Sequence, residues 1–242
     1  MTNGGRIAPD GRVIMVSGAN RGIGAAIARR LHDDGYSLSL GVRDPDATAA
    51  LVAGMDESRL LVCPFDARER AAAGHWVEAT MGRFGRLDGL VSNAGIARSF
   101  DFDDGDEADL DEMFEVNAKA PLRLILAARP HLKASGTGRI VVVTSLAGVR
   151  YKWGSVGYSM SKHAAQALTH AARVRLWDDG IRVTAVCPGP VETDMTRGRM
   201  SVADADMTRP ESVADLVATA LALPNTASVA VMGINAVAEP ML

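Results

Sequence analysis

The stretch "RVIMVSGANRGIGAAIARRLHDDG" (residues 12–35) changes its period part-way along. Residues 12–18 form a short apolar run that ends in glycine, the pattern of a buried strand. From Gly22 onward, Ile23, Ile27 and Leu31 recur at a spacing of four, which places them on one face of a helix that Gly35 stops. Glycines 18, 22 and 24 lie at the junction. A strand that turns through glycines into a helix opens a parallel unit, because parallel strands need a crossover rather than a tight hairpin.

The remaining chain repeats that alternation. Strands are expected at 36–42, 59–65, 86–95, 138–148, 181–189 and 228–234. Helices are expected at 67–85, 106–134, about 155–179 and 210–223, the last opening on Pro210. Neither a low-complexity linker nor a 20–50-residue repeat interrupts it. The expectation is one α/β domain of 242 residues, a doubly wound parallel sheet with helices on both faces. A domain of this size buries roughly 70–75% of its extended-chain surface.

Composition narrows the class. The chain is 48% hydrophobic and 23% charged with a net charge of −3, so no general attraction to nucleic acid or anionic membrane is implied. Cys63 and Cys187 end apolar runs, which suits reduced thiols in a reducing compartment. The segment "MTNGGRIAPDGR" lacks the layout of a signal peptide, and no apolar run reaches membrane-spanning length, so a cytoplasmic protein is expected. Histidines 32, 75, 131, 163 and 170 show no metal-ligand spacing, and no metal is expected.

In doubly wound sheets ligands bind beyond the carboxyl ends of the strands. The distinctive residues of this chain fall there: Gly18 after the first strand, Asn93 and Gly95 after the fourth, Ser145 after the fifth, Pro188 and Gly189 after the sixth. The turn "SGANRGIG" (17–24) lets backbone approach a pyrophosphate, with helix N–H groups and a partial positive charge behind it. At the end of the second strand Val42 stands where an acid for a ribose 2′-hydroxyl is sought, and Arg43 follows. With Arg21 in the glycine turn, two guanidiniums favour a 2′-phosphate, hence NADP(H) over NAD(H). Asp44 would take the acid's role if the strand ended one residue later. On the helix of "SVGYSMSKHAAQALT" (155–169), Tyr158 and Lys162 share a face at i,i+4. An adjacent ammonium is expected to pull the phenol below its ordinary value of about 10 and make it a general acid or base. Ser145 can hydrogen-bond the same substrate oxygen.

These motifs together resemble the short-chain dehydrogenase/reductase family over nearly the whole chain, Val13 to about Ile234. Gly18/Gly22/Gly24, "SNAG" (92–95), Asn117 in "FEVNAKAP", Ser145 in "VTSLAG", "YSMSK" (158–162) and "CPGPVETDM" (187–195) occur in the family's order. The resemblance implies a Rossmann-type subunit, usually a homodimer or homotetramer, that moves hydride between a nicotinamide and a small-molecule carbonyl or alcohol. It implies Asn117, Ser145, Tyr158 and Lys162 as catalytic residues. Tyr158 supplies the proton, Ser145 orients the oxygen, Lys162 lowers the Tyr pKa and holds the nicotinamide ribose, and Asn117 holds a water that reloads the proton. The cofactor residues implied are Gly18, Asn20, Arg21, Gly22, Ile23, Gly24, Arg43, Asp66 at the adenine, Asn93, Gly95, Tyr158, Lys162, Pro188, Val191 and Thr193. The small residues around Tyr158 are then expected to leave room for cofactor and substrate.

Ser17 and Ser92 stand where the family has Thr and Asn, and each keeps a short hydrogen-bonding side chain. A short substrate lid is expected at about 194–209, with Met195, Met200 and Met207 as an adaptable apolar cover. Arg150, Tyr151, Lys152 and Trp153 are expected to pass the pocket as substrate contacts or as a solvated loop. Three functions follow: an NADPH-dependent reductase of a ketone or aldehyde, a 3-oxoacyl-thioester reductase, and a catalytically silent NADP(H)-sensing protein.

Overall fold

The computed structural model describes residues 5–151, 155–198 and 202–238. Trp153, Lys152 and Met200 therefore lie outside the described residues. Seven strands form one fully parallel sheet: β1 (Val13–Ser17), β2 (Ser37–Val42), β3 (Leu60–Pro64), β4 (Gly89–Ser92), β5 (Arg139–Val143), β6 (Arg182–Pro188) and β7 (Val231–Ile234). Their order across the sheet is β3-β2-β1-β4-β5-β6-β7. The order reverses between β1 and β4, where Ile14 pairs with Gly89, and that reversal makes the crevice.

The strand alternation expected from sequence sorts into two cores. Ile14 and Val16 face a layer containing Ile27 and Leu31 of α1 (Gly22–Asp33) and Val213, Val217 and Leu221 of α7 (Pro210–Ala222). Val13 and Met15 face the opposite layer, with Trp76 of α3, Leu124 of α5 and Ala172 of α6. Those helices run Ala72–Phe84 (α3), Ala120–Ala134 (α5) and Val156–Arg175 (α6). Period two in the strands and period near 3.6 in the helices meet at both faces.

Some boundaries differ from the sequence reading. The tract 106–134 is two helices, α4 (Glu107–Phe114) and α5, joined by a π turn at Glu115–Lys119. The Ala120 N–H donates to the Glu115 carbonyl five residues back, the bond of a π turn, and Pro121 has no N–H to give the Asn117 carbonyl. A short helix α2 (Ala49–Val52) follows β2, where the periodicity was too brief to read. The long helix α6 ends at Arg175 rather than 179. Cys63 and Cys187 are free thiols. Five strand spacings separate β3 from β6, about 24 Å at ~4.8 Å each, far beyond disulfide reach. Among the described residues no helix is long and apolar enough to cross a membrane.

Candidate active site

A single cleft runs along the carboxyl ends of the strands. Gly18, Asn20, Arg21, Gly22, Ile23 and Gly24 line it, as do Arg43, Asp66, Asn93, Gly95, Ser145, Tyr158, Lys162, Pro188, Val191 and Thr193. The topology thus brings together residues spread over most of the chain.

The glycine turn is built by close approach. Gly18 has φ +66°, and a Cβ at Gly24 would lie 2.1 Å from the Gly18 carbonyl oxygen and 2.6 Å from Asn93 Nδ2. The Asn93 amide donates to the Ser17 carbonyl at 3.0 Å and the Gly18 carbonyl at 3.3 Å. Ser17 Oγ accepts from the Asn93 and Ala94 N–H groups, both at 3.0 Å. Serine in place of threonine therefore still clamps β1 to the "SNAG" segment. No side chain caps α1 at its N-cap position, Arg21, so the first N–H groups of the helix are left for an anion in the cleft.

At the rim, β2 ends at Val42 and Arg43 lines the cleft. Asp44 does not reach it: its Oδ1 accepts from the Asp46 and Ala47 N–H groups at 3.0 and 3.4 Å, closing its own turn. Asp66 follows β3, and its Oδ1 accepts from the Arg68 N–H and Nε, each at 3.0 Å. Those bonds hold the Asp66 carboxyl below its ordinary range. Arg68, Arg98 and Glu112 also line the cleft, joined by Arg98–Glu112 at 3.0 Å and Arg68–Glu112 at 3.7 Å. The sequence reading missed these three, because surface arginines and glutamates carry no local signature.

The reacting groups converge from β5 and α6. Ser145 opens a turn after β5, its Oγ accepting from the Ala147 N–H at 3.1 Å and reaching the Pro188 carbonyl at 3.4 Å. Ser145 and Tyr158 line the same cleft, and the Ser145 hydroxyl favours the phenolate form of Tyr158. Lys162 is buried, its Nζ donates to the Val143 carbonyl at 3.2 Å and stands 5.7 Å from the Tyr158 ring centroid. The electrostatics correct the sequence expectation. Burial pushes the Tyr158 phenol above its ordinary value, and the Ser145 hydrogen bond offsets only part of that. The same burial brings Lys162 from 10.5 down to about 8, so the amine is itself weakened as a source of positive charge.

Asn117 does not line the cleft. Its amide clasps the Ile96 backbone, accepting from the N–H and donating to the carbonyl, both at 2.9 Å, and Nδ2 also donates to Ser161 Oγ at 3.0 Å. Ser161 in turn donates to the Tyr158 carbonyl at 2.8 Å. This buried chain ties the Tyr–Lys helix to the loop after β4.

The small residues near Tyr158 have a different cause from the one expected. A Cβ at Gly157 would stand 2.8 Å from Met113 Cε and 2.9 Å from Phe100 Cβ, and Ser159 Oγ donates to the Ala147 carbonyl at 2.6 Å. Neighbouring protein, not ligand room, fixes their size. Ser155 caps α6, its Oγ accepting from the Tyr158 N–H at 3.2 Å while bonding both backbone groups of Phe100. A serine three residues before Tyr158 was readable as that cap.

A parallel sheet with a glycine turn at its reversal and a Ser–Tyr–Lys cluster facing the same crevice defines a Rossmann-type fold with a candidate catalytic set at its carboxyl edge. Comparison gives the family: the profile described as short chain dehydrogenase matches residues 12–204, and the chain belongs to that family. Two agropine synthesis reductases of Rhizobium rhizogenes are 38% and 40% identical over 219 residues, 90% of this chain. The chain spans about half the length of those curated relatives, 50% in each case. A short chain dehydrogenase of Burkholderia cenocepacia, solved in complex with NADP, superposes with a TM-score of 0.87 at 31% identity, covering 95% of this chain and 98% of that one. An alcohol dehydrogenase of Thermococcus sibiricus, complexed with 5-hydroxy-NADP, gives 0.85 at 28% identity with the same coverage.

Proposed function

We propose that this oxidoreductase reduces a ketone or aldehyde to an alcohol with NADPH, Tyr158 acting as general acid. The observation that carries the reading is the convergence of Ser145, Tyr158 and Lys162 on one cleft. The residues present fit a phosphorylated dinucleotide. Uncapped helix N–H groups suit the pyrophosphate, and Arg21 and Arg43 on the rim suit a 2′-phosphate. Asp44, the acid that would have argued for NAD, is turned away into its own loop. Gly95 keeps side-chain bulk out of the inner end, where a Cβ would lie 3.4 Å from Lys162 Nζ and 3.2 Å from Asn117 Oδ1. Asp66 is assigned to the adenine, Val191 and Thr193 to the carboxamide, and Lys162 to the nicotinamide ribose.

The bound cofactor supplies hydride to the carbonyl carbon. Tyr158 gives its proton to the carbonyl oxygen, Ser145 hydrogen-bonds that oxygen and fixes the carbon's orientation, and the Lys162 ammonium offsets the phenolate charge as it forms. A phenol held above its ordinary value is protonated at neutral pH, the state reduction requires. Asn117 acts as a positioning residue, holding the turn at Ile96 and, through Ser161, the Tyr158 carbonyl. The agropine synthesis reductases, by their name, support reduction as the direction. The reading extends to a cytoplasmic location and to a homodimer or homotetramer, the assembly supported by the exposed Leu122 and Leu126 of α5 and Val174 of α6.

The test is NADPH consumption across a panel of ketones and aldehydes, with Tyr158→Phe beside the wild type. The expected loss in the variant is about 10²–10⁴-fold in turnover, with NADPH affinity within twofold. Undiminished turnover by Tyr158→Phe overturns the assignment. Failure of the wild type to bind NADPH overturns the function.

A further inference from the structure

Arg21 and Asp194 face each other across the mouth of the cleft. Arg21 stands in the glycine turn and Asp194 at the root of the segment after β6, with Arg21 Nη1 3.8 Å from Asp194 Oδ2. The backbone sets that approach: a Cβ at Gly22 would lie 3.1 Å from Thr193 Cγ2, so the residues flanking the pair are already in contact. Among the described residues no other carboxylate lies within 4.0 Å of Arg21. Asp194 has an alternative, because its Oδ1 lies 3.6 Å from Arg197 Nη1. Arg197 and Arg209 both pair with Glu192, which anchors that side of the mouth independently of Arg21.

We infer that Asp194 is a residue that sets cofactor selectivity, its carboxylate competing with the 2′-phosphate of NADPH for the Arg21 guanidinium. This rests on the reading of Arg21 as a 2′-phosphate contact. Both anions seek the same donors, and a guanidinium cannot give one planar fork to two partners. A dinucleotide without the phosphate leaves the Arg21–Asp194 pair standing. One that carries it must draw Arg21 away, while Asp194 falls back on Arg197. The pair therefore opposes NADPH and not NADH. Arg21 and Asp194 are 65% and 64% exposed, so the opposition is small. It tunes the preference without reversing it, since a phosphate dianion offers stronger charge-assisted bonds than a carboxylate.

The experiment is a fluorescence titration of NADPH and of NADH on the purified protein, its Asp194→Asn and Arg21→Ala variants, and the double variant. Both side chains are exposed, so each variant is expected to fold with an unchanged melting temperature. Asp194→Asn is expected to tighten NADPH two- to fivefold relative to NADH. That relative gain is expected to vanish in the Arg21→Ala background. If the two cofactors shift together, or the gain survives without Arg21, Asp194 does not act through Arg21 and the inference fails. The Arg21 reading then stands or falls separately, on whether Arg21→Ala alone weakens NADPH relative to NADH by about tenfold. If Arg21→Ala leaves that ratio unchanged, the reading falls and takes the inference with it.

Discussion

The two ends of the sheet each bury a cation, and they treat it differently. At the amino end, Arg139 is 2% exposed and donates three hydrogen-bonding groups to backbone. Nε and Nη2 reach the Leu223 carbonyl at 3.1 and 2.6 Å, and Nη1 the Gly138 carbonyl at 2.8 Å. At the carboxyl end, Lys162 is 5% exposed and, among the described residues, makes one such bond, to the Val143 carbonyl. Both pKa values fall through burial, Arg139 to about 10 and Lys162 to about 8. The difference is where the donors go. Arg139 directs three of its five N–H groups at backbone carbonyls just before β5 and just beyond α7, so it is a fastening. Lys162 keeps N–H groups for the cleft, and a cation held buried with donors to spare marks the working end of the sheet.

The comparison can be broken in three places. The largest effect is expected from Lys162→Met, which removes a poorly compensated buried charge. Because the folded-state value lies near 8 and the unfolded one at 10.5, the unfolded chain binds more protons between those pH values. Wild-type stability should rise across that window, and below pH 8 the full burial cost is present. The variant should therefore be more stable at pH 7 by up to about 3 kcal/mol, the advantage vanishing by pH 10.5. Urea denaturation of both proteins at several pH values measures it, and a variant less stable at pH 7 would remove Lys162 from the comparison.

Arg139→Leu relieves a comparable burial cost, since Arg139 falls from 12.5 to about 10, but it strands the Leu223 and Gly138 carbonyls. It should therefore gain less than Lys162→Met by about 2 kcal/mol, or about 4–8 °C in melting temperature for a chain of this length. NADPH affinity should stay within twofold, since the change lies at the far end of the strands. A loss of affinity with an intact melting point would contradict the fastening role. The smallest effect is expected from Ser155→Ala, which removes the cap of α6. About 1 kcal/mol of stability should go with it, read by thermal melting. Because the same hydroxyl holds Phe100, amide exchange at Phe100 and Tyr158 should quicken together. Exchange at Tyr158 alone would separate the cap from the loop.

Local chemistry is what the sequence makes legible. The strands of 12–18 and 36–42, the helix from Gly22 and the glycine turn were all readable, because each depends on neighbours within a turn or two. Gly18, Asn93, Gly95, Ser145, Pro188 and Gly189 follow from topology, since strand ends meet, whereas Asn20, Ile23, Asp66, Val191 and Thr193 follow only from the family resemblance. Asp44 was not decidable from the letters: one residue of register separates a ribose contact from a turn cap, and only the end of β2 at Val42 chose. The sign of the Tyr158 shift was misread for a related reason. An i,i+4 spacing reports proximity to Lys162, but desolvation depends on every element packed around the phenol.

By itself, then, the sequence determined the order of strands and helices, one parallel sheet, and a Ser–Tyr–Lys set at its carboxyl edge. The tertiary structure alone decided which polar groups are used up and which are left over. Asn117 was consumed by Ile96 and Ser161, Arg139 by the carbonyls of Leu223 and Gly138, and Gly157 was kept small by Met113 and Phe100. The physical reason is range. Propensity and periodicity act over a few residues, whereas, Gly138 aside, burial and hydrogen-bond partners at these sites come from segments 21 to 84 positions away.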